Sequence, residues 1–430
     1  MLAISCLFAL AAPRSALAIP SYARLYNAEC TACHTIYPQR NEFGVAFEKN
    51  GFVWPGDGKK AAKAPVEKTA EEKKADEMYS LTGLTKILPV SLSLRQSYNV
   101  DNRDTSVVSQ SPAAEVFASA PIFGDQFSFW VNFPINGAST VLSEAYIIAR
   151  RPLALPIDVR FGKFAPDVAL KKNNDRLGAG AAGAGNLTLN GFAPTGINEG
   201  VEATSIVADR LAVTAGYIDR TATSTLTTFH YDVIGTVSAG TGSVIYSNKK
   251  TFDTVSKDIK EYYAHVMYKI GGTDYHGAEP DIDLSKESIM DFLSLTVSAF
   301  GYDGKTLDTI TGEAHTLTRA GLEAMVEYKR LALVFGQQQG VNKETGAEVK
   351  STGNIVDITY NIGPTLAAVL RYQYTSVDNG QKTKDVYPAI VYAPRQTVKF
   401  QVYCDANETK KADGTKSTKT TTNLLAQVLF

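Results

Sequence analysis

The sequence predicts an all-β fold, an antiparallel barrel of about 16 transmembrane strands preceded by a short N-terminal segment of different character. Two observations carry that reading. Most of the chain beyond residue 87 is made of short stretches whose apolar residues recur with a period of two, which puts one set on each face of a strand. Connections along those stretches alternate between short and long, as in outer-membrane barrels with short periplasmic turns and long outer loops.

The N-terminus comes first. Leu2 to Leu17 is apolar apart from Ser5, Arg14 and Ser15 and ends in Ala16-Leu17-Ala18. This reads as a signal peptide over 1–18, too short for a membrane anchor, which needs about 20 apolar residues. Secretion removes Cys6 and leaves Cys30, Cys33 and Cys404, which is too few for a disulfide framework. The formal charge of −1, from 43 Lys and Arg against 44 Asp and Glu, gives no support for nucleic-acid binding.

Cys30-Thr31-Ala32-Cys33-His34 is a C-x-x-C-H motif, the attachment signature of haem c. Two thiols at this spacing reach the two vinyl groups on one porphyrin edge, and the next residue places an imidazole at the iron, so His34 is the expected axial ligand. A thioredoxin-like pair would need a surrounding βαβ pattern, and half a zinc site would need a second C-x-x-C; neither is present. Between Ile19 and Glu77 there is no Met, and no His other than His34. A distal ligand must therefore come from Met78, from the barrel wall, or be absent. The wall candidates are His265, Met267 and Met325, each on the polar face of its strand.

Pro20-Ser21-Tyr22-Ala23-Arg24, the C-x-x-C-H motif, Pro38, Phe43-Gly44, Phe47 and Gly51-Phe52 together resemble the N-terminal signature of the fused monohaem cytochrome–porins. The likeness runs from Pro20 to Phe52. It departs at Tyr26-Asn27, where the family usually carries Thr-Gly, and at Glu48 and Lys49, where it usually carries Lys and Leu. That family includes outer-membrane proteins that oxidise extracellular Fe(II). The resemblance implies a cytochrome segment over 19–55 feeding electrons to a periplasmic c-type cytochrome. Gly56 to Glu77 is rich in Lys, Glu, Ala and Pro without aromatics, so 56–86 reads as a charged flexible linker.

The barrel over 87–430 shows its pattern plainly. Phe127, Phe129, Val131, Phe133 and Ile135 alternate with Ser128, Trp130, Asn132 and Pro134; Tyr262 to Ile270 alternate with Glu261, Tyr263, His265, Met267 and Lys269; Leu322 to Tyr328 alternate with Glu323, Met325, Glu327 and Lys329. Strands are expected at 88–100, 113–121, 126–136, 140–151, 156–165, 199–208, 211–220, 258–271, 288–302, 318–329, 331–338, 352–362, 365–375, 386–393, 396–406 and 420–430. Connection 272–287 is long where a short one is expected, and 221–257 is long enough to hide a further hairpin, giving 18 strands. Leu424, Ala426, Val428 and the terminal Phe430 share one face, resembling the signal read by the barrel assembly machinery, and Cys404 falls on the lipid face with Val398, Phe400 and Val402.

These features predict a bacterial outer-membrane protein, embedded in lipid, whose N-terminal segment enters the lumen or lies on its periplasmic side. A barrel this wide leaves an aqueous channel, which a haem segment can plug and use as a relay. The main functional expectation is an electron conduit that oxidises extracellular Fe(II), an Fe(II) oxidoreductase, and passes the electrons to periplasmic cytochromes. Alternatives are outward transfer to extracellular acceptors, or a solute porin gated by its haem segment. Fe(II) prefers O and N donors. The candidates at the outer mouth are Asp167, Asp175 and Glu199, then Asp303, Asp308, Glu313 and His315, Glu344 and Glu348, and Asp405 and Glu408. Asp274, His276, Glu279, Asp281 and Asp283 fall on the expected periplasmic side, where they suit a basic cytochrome; Arg160 and Lys163 suggest a basic pore lining.

Overall fold

The computed structural model describes residues 21–26, 28–55, 89–102, 107–109, 112–123, 125–136, 139–140, 142–233, 246–280, 288–307, 312–344 and 347–430. The expected signal peptide and linker, Met78, Asp281, Asp283 and Asp308 lie outside the described residues, as does the Glu344 side chain.

The N-terminal segment holds helix α1 (Ser21–Leu25), a 3-10 turn (Cys30–Ala32), a small hairpin of β1 (His34–Ile36) and β2 (Gln39–Arg40), and helix α2 (Glu42–Lys49). The barrel follows. Its first half comprises β3 (Val90–Asp101), β4 (Val107–Ser109), β5 (Ala113–Ile122), β6 (Phe127–Asn136), β7 (Ser139–Thr140), β8 (Glu144–Arg150), β9 (Asp158–Phe164), β10 (Asn198–Val207) and β11 (Leu211–Val233). The second comprises β12 (Tyr246–Ile270), β13 (Leu293–Leu307), β14 (Ala314–Tyr328), β15 (Leu331–Glu344), β16 (Ala347–Asn361), β17 (Leu366–Val377), β18 (Lys382–Arg395), β19 (Val398–Lys410) and β20 (Lys416–Leu429). β4 and β5 are two pieces of one strand against β3, and β7 and β8 two pieces of one strand against β6, so the closed antiparallel barrel has 16 strands.

Closure joins β20 to β3, and Phe430 exchanges backbone hydrogen bonds of 2.7 and 3.0 Å with Leu92. Closing the sheet leaves no unpaired edge, the condition for crossing hydrocarbon with strands. Among the described residues no helix is long and apolar enough to cross a membrane.

The alternation behaves as expected. Along β12, Glu261, Tyr263, His265, Met267 and Lys269 are buried in the lumen, while Tyr262, Val266, Tyr268 and Ile270 are exposed on the outer wall. Charged residues inside and apolar residues outside invert the usual soluble arrangement, as a lipid-facing barrel requires. Lumen carboxylates are matched by cations: Asp357 with Arg371 and Lys171, Glu261 with Arg220, Glu202 with Arg160.

Three expectations need correction. The stretch 221–257 holds no extra hairpin among its described residues, because β11 and β12 run on as partners from Leu211↔Tyr268 to Val233↔Tyr246. Other outer connections shrink likewise, to 345–346, 378–381 and 411–415, because the strands continue past the apolar belt. There the sequence is mostly polar, so apolar periodicity does not mark the extensions, although the hydrogen-bond ladder continues. Finally, residues 165–197 do not form an outer loop. They fold into the lumen, where Val168, Leu170, Leu177, Ala184, Leu187 and Leu189 are buried.

Candidate functional site

The lumen is occupied at the end that carries the short turns. Residues 21–55 enter there and meet the inward-folded segment 165–197.

The C-x-x-C-H motif is held by the start of α2. Asn41 caps the helix by accepting from Gly44 N at 2.8 Å, satisfying one of the amides a helix leaves unpaired. Its amide nitrogen donates to the Thr31 and Ala32 carbonyls at 3.1 Å each, and its backbone N–H donates to Cys33 O at 3.0 Å. Gly44 lies against the same turn: a Cβ there would sit 2.1 Å from Cys33 O, so only glycine allows this approach. Gly44, one of the residues that carry the resemblance, thus has a steric reason.

Cys30, Cys33 and Cys404 are all free thiols. Burial raises the Cys30 thiol to about 11 and Cys33 to about 12, so both stay protonated. His34 Nδ1 lies 3.2 Å from the Pro38 carbonyl, which can only accept, so Nδ1 carries the proton and the Nε2 lone pair is left for a ligand role. Burial pushes His34 down to about 4, which keeps the imidazole neutral. Two uncrosslinked thiols on one turn followed by a neutral, tautomer-fixed imidazole fit a covalently held haem.

Three kinds of contact dock this segment. Aromatic packing is the first: Tyr22 meets Phe47 edge-on at 5.0 Å and stacks on Phe52 at 5.4 Å, and Phe52 stacks on Trp130 of the wall at 5.5 Å. Gly51, at φ +64°, turns the chain at the end of α2 and brings Phe52 to the wall beside Ile148 and Arg150. Polar contacts to the wall are the second: Ser21 N donates to Ser91 Oγ, Tyr37 N to Gln396 Oε1, Gln396 Nε2 to Thr35 O, and Asn50 Nδ2 to Tyr275 O. Ionic contacts are the third. Arg40 pairs with Glu48 and Asp175, Lys49 with Asp167, Lys172 with Glu48, and Lys269 with Glu42 at 3.2 Å. Glu48 and Lys49, where the sequence leaves the family pattern, are thus consumed in docking.

Asp167 and Asp175 therefore belong to this interface and not to the outer mouth. Burial works against the Asp167 charge, but Lys49 and Lys172 hold the carboxyl well below its ordinary range. The inward segment is pinned to the far wall by Glu323, which accepts from Leu170 N at 2.5 Å and Gly185 N at 3.2 Å, and by Arg371, which donates to the Ala179 and Leu177 carbonyls.

His265 and Met267 are buried and inward-facing, as is Met325. Met267 and Met325 share an apolar cluster with Leu170, Tyr275 and Val45 of α2. His265 has Asp167 and Lys49 as its charged neighbours, and neither ring nitrogen makes a hydrogen bond of normal geometry. His34 precedes α2 on β1, and His265 has Lys49, the last residue of α2, among its charged neighbours.

Residues 271–278 lie across the short-turn end, under the segment. Thr273 N donates to Glu42 Oε2 at 2.7 Å, and Gly277 approaches Pro55. Asp274 is used within its own turn, accepting from His276 N and Ala278 N at 2.9 Å each, and His276 Nε2 is 3.4 Å from Asp209 Oδ1. Among the described residues no cluster of three His, Cys, Asp or Glu could hold a metal ion. Arg160 faces the lumen but is paired to Glu202 at 2.8 Å and lies over the Phe164 ring. Lys163, three residues on, falls on the opposite strand face and donates to Leu142 O. The basic pore lining is therefore not formed by this pair.

Sequence reasoning missed Arg40, Asn41 and Gln396. Charge in a segment otherwise rich in aromatics was the available signal for Arg40, but its partner lies 135 residues away.

No protein-family model matches the sequence, and no curated protein matches it. The fold is that of outer-membrane porins. The chain is similar to the outer membrane channel DcaP of Acinetobacter baumannii, at 10% identity and TM-score 0.52 over 79% of this chain and 96% of that one. It is equally similar to an anion-selective porin from Comamonas acidovorans, at 13% identity and TM-score 0.52 over 79% of this chain and 98% of that one.

Proposed function

We propose that this protein is a bacterial outer-membrane electron conduit, a porin-type barrel whose lumen is closed at its periplasmic end by a segment carrying one haem c. The single observation that carries the reading is the placement of an intact C-x-x-C-H turn on a segment docked inside the lumen by buried ion pairs. Cys30 and Cys33 would hold the group and His34 would ligate its iron. When bound, it supplies a one-electron Fe(III)/Fe(II) couple.

The chain's own residues do the rest. Asn41 and Gly44 fix the turn, Pro38 sets the His34 tautomer, and the aromatic and ionic contacts exclude bulk water and solutes from the short-turn end. Bare hydrocarbon of about 30 Å blocks electron tunnelling, so a redox segment inside a barrel places the couple where the membrane is interrupted. Extracellular Fe(II) is the proposed donor and a periplasmic c-type cytochrome the acceptor.

A second reading is a solute porin with this segment as its gate. The fold likeness to an anion-selective porin favours it. One experiment separates the two. The purified protein is stained for haem-linked peroxidase after denaturing electrophoresis, then reconstituted in liposomes for swelling assays with small anions and sugars. Covalent haem with sealed liposomes supports the conduit. Absence of covalent haem removes it, and rapid swelling by the intact protein establishes the porin.

A further inference from the structure

At the outer end of the barrel the strands run beyond the apolar belt, and the charges they present there are not evenly distributed. Strand alternation identifies the residues that face away from the lumen. On β18 the outward set passes from Tyr392, Ile390 and Val386 to Lys384 and Lys382; on β19 it passes from Phe400 and Val402 to Glu408 and Lys410; on β20 it passes from Leu424 to Lys416.

Register brings three of these lysines into one row, while Lys384 lies opposite Glu408. Lys382 is the cross-strand partner of Lys410, and Lys410 is the partner of Lys416. Like charges directly opposite on one face repel and destabilise a sheet, so three in line require anions. Lys416 has Glu408 at 3.8 Å, and Lys343 has Glu348 at 3.9 Å. Among the described residues no carboxylate lies within ion-pair distance of Lys382 or Lys410.

The asymmetry is regional. On the strands from β15 to β20 the outward, exposed charges above the belt are Lys343, Lys350, Lys382, Lys384, Lys410 and Lys416 against Glu348 and Glu408, and the exposed turns add Lys411, Asp378 and Asp413. On the wall from β9 to β13, Lys163, Lys260 and Lys305 are interleaved with Glu199, Asp219, Asp258 and Asp303, and register pairs Lys163 with Glu199 and Asp219 with Lys260. One wall is balanced. The other is basic.

We propose that the β18–β20 face is a binding site for the phosphate groups of an outer-leaflet lipid. The row sits directly above, and on the same face as, the side chains that contact acyl chains: Lys384 is two residues beyond Val386, about 7 Å along the strand. A ligand there has its tails against Val386, Ile390, Val402 and Leu424 and its anionic head among Lys382, Lys410 and Lys416. A soluble anion would use only the second half of that surface. The proposal rests on the outer-membrane placement and is independent of haem.

The test uses the full-length protein, with wild type, Lys382→Gln/Lys410→Gln/Lys416→Gln, and the opposite-wall control Lys163→Gln/Lys260→Gln/Lys305→Gln. Each is confirmed as a folded barrel by its heat-dependent gel mobility. Each is then equilibrated with bis-phosphorylated lipid A, monophosphorylated lipid A, phosphatidylcholine or inorganic phosphate, and bound lipid is counted by native mass spectrometry. Each lysine near an anionic surface contributes on the order of a fivefold change in affinity. The row variant should therefore lose lipid A retention by roughly a hundredfold, with the control unchanged and monophosphorylated lipid intermediate. Equal retention by row variant and wild type overturns the proposal. So does equal loss in the control, or competition by inorganic phosphate at the same concentration as lipid A. If the row variant does not fold, Lys410→Glu alone is used, and undiminished lipid A binding by it is equally fatal. A result against this site leaves the peroxidase stain and swelling outcomes untouched.

Discussion

Replacing Lys49 with Met should undock the N-terminal segment. The Lys49 and Asp167 side chains are 9% and 8% exposed and form a direct ion pair across the interface between α2 and the inward segment. Methionine keeps the length and apolar stem of lysine but removes its charge, leaving the Asp167 carboxylate buried. Breaking one side of such a pair costs about 3–5 kcal/mol. Lys172 also acts on Asp167, which places the expected cost near the lower bound, about 3 kcal/mol. That corresponds to roughly a hundredfold shift toward the undocked state. Planar-bilayer conductance reads the open fraction, and hydrogen exchange of the α2 amides reads the docked one. Lys49→Met should show open events and faster exchange. Lys49→Met/Asp167→Asn should recover most of the loss, since no charge is then stranded. A single variant as silent and as protected as wild type would refute the reasoning, and so would a double variant no better than the single one.

Other expectations follow from the same interface. Burial opposes ionisation of Glu48 and Asp167, yet Arg40, Lys172 and Lys49 hold Glu48, and Lys49 and Lys172 hold Asp167, well below the carboxylate range. Their contribution to docking is therefore complete above about pH 4 and is lost only as pH falls through the depressed values; conductance that rises between pH 7 and 5 would contradict this. Gly44→Ala places a methyl against Cys33 O and should loosen α2 from the C-x-x-C-H turn by about 1–3 kcal/mol, seen as faster amide exchange in Gly44 to Phe47. Glu323→Ala strands the Leu170 and Gly185 amides, at about 1–3 kcal/mol each, and should expose 165–197 to limited proteolysis. Unchanged cleavage would show that the remaining contacts, Arg371 and Arg319 to segment carbonyls among them, suffice to pin the segment.

Several features were legible in the residues because they depend on local chemistry. Tyr262 to Ile270 alternate so regularly that the inward set, Glu261 to Lys269, follows from periodicity alone. Thiol spacing in Cys30 to His34 is equally local. Strand ends were less legible: β11 reaches Val233 through a Thr- and Ser-rich run in which Leu226 is out of step with Phe229, Tyr231 and Val233, so no sustained period marks it. Position inside or outside the lumen was illegible for 165–197, since a Gly- and Ala-rich stretch between two strands reads the same whether it bends outward or inward.

By itself, the sequence determined the barrel, a strand number of 16 or 18 and the inward set of side chains, and it displayed the C-x-x-C-H motif. These rest on a two-residue period and on contiguous spacing, both properties of neighbours in the chain. Only tertiary structure decided that Asp167 and Asp175 clasp Lys49 and Arg40 instead of facing the exterior, and that Lys382, Lys410 and Lys416 form a row. Coulomb interactions act over a few ångströms of space, and closing a barrel brings into that range charges that the chain separates by 135 residues in Arg40 and Asp175 and by more in Glu42 and Lys269.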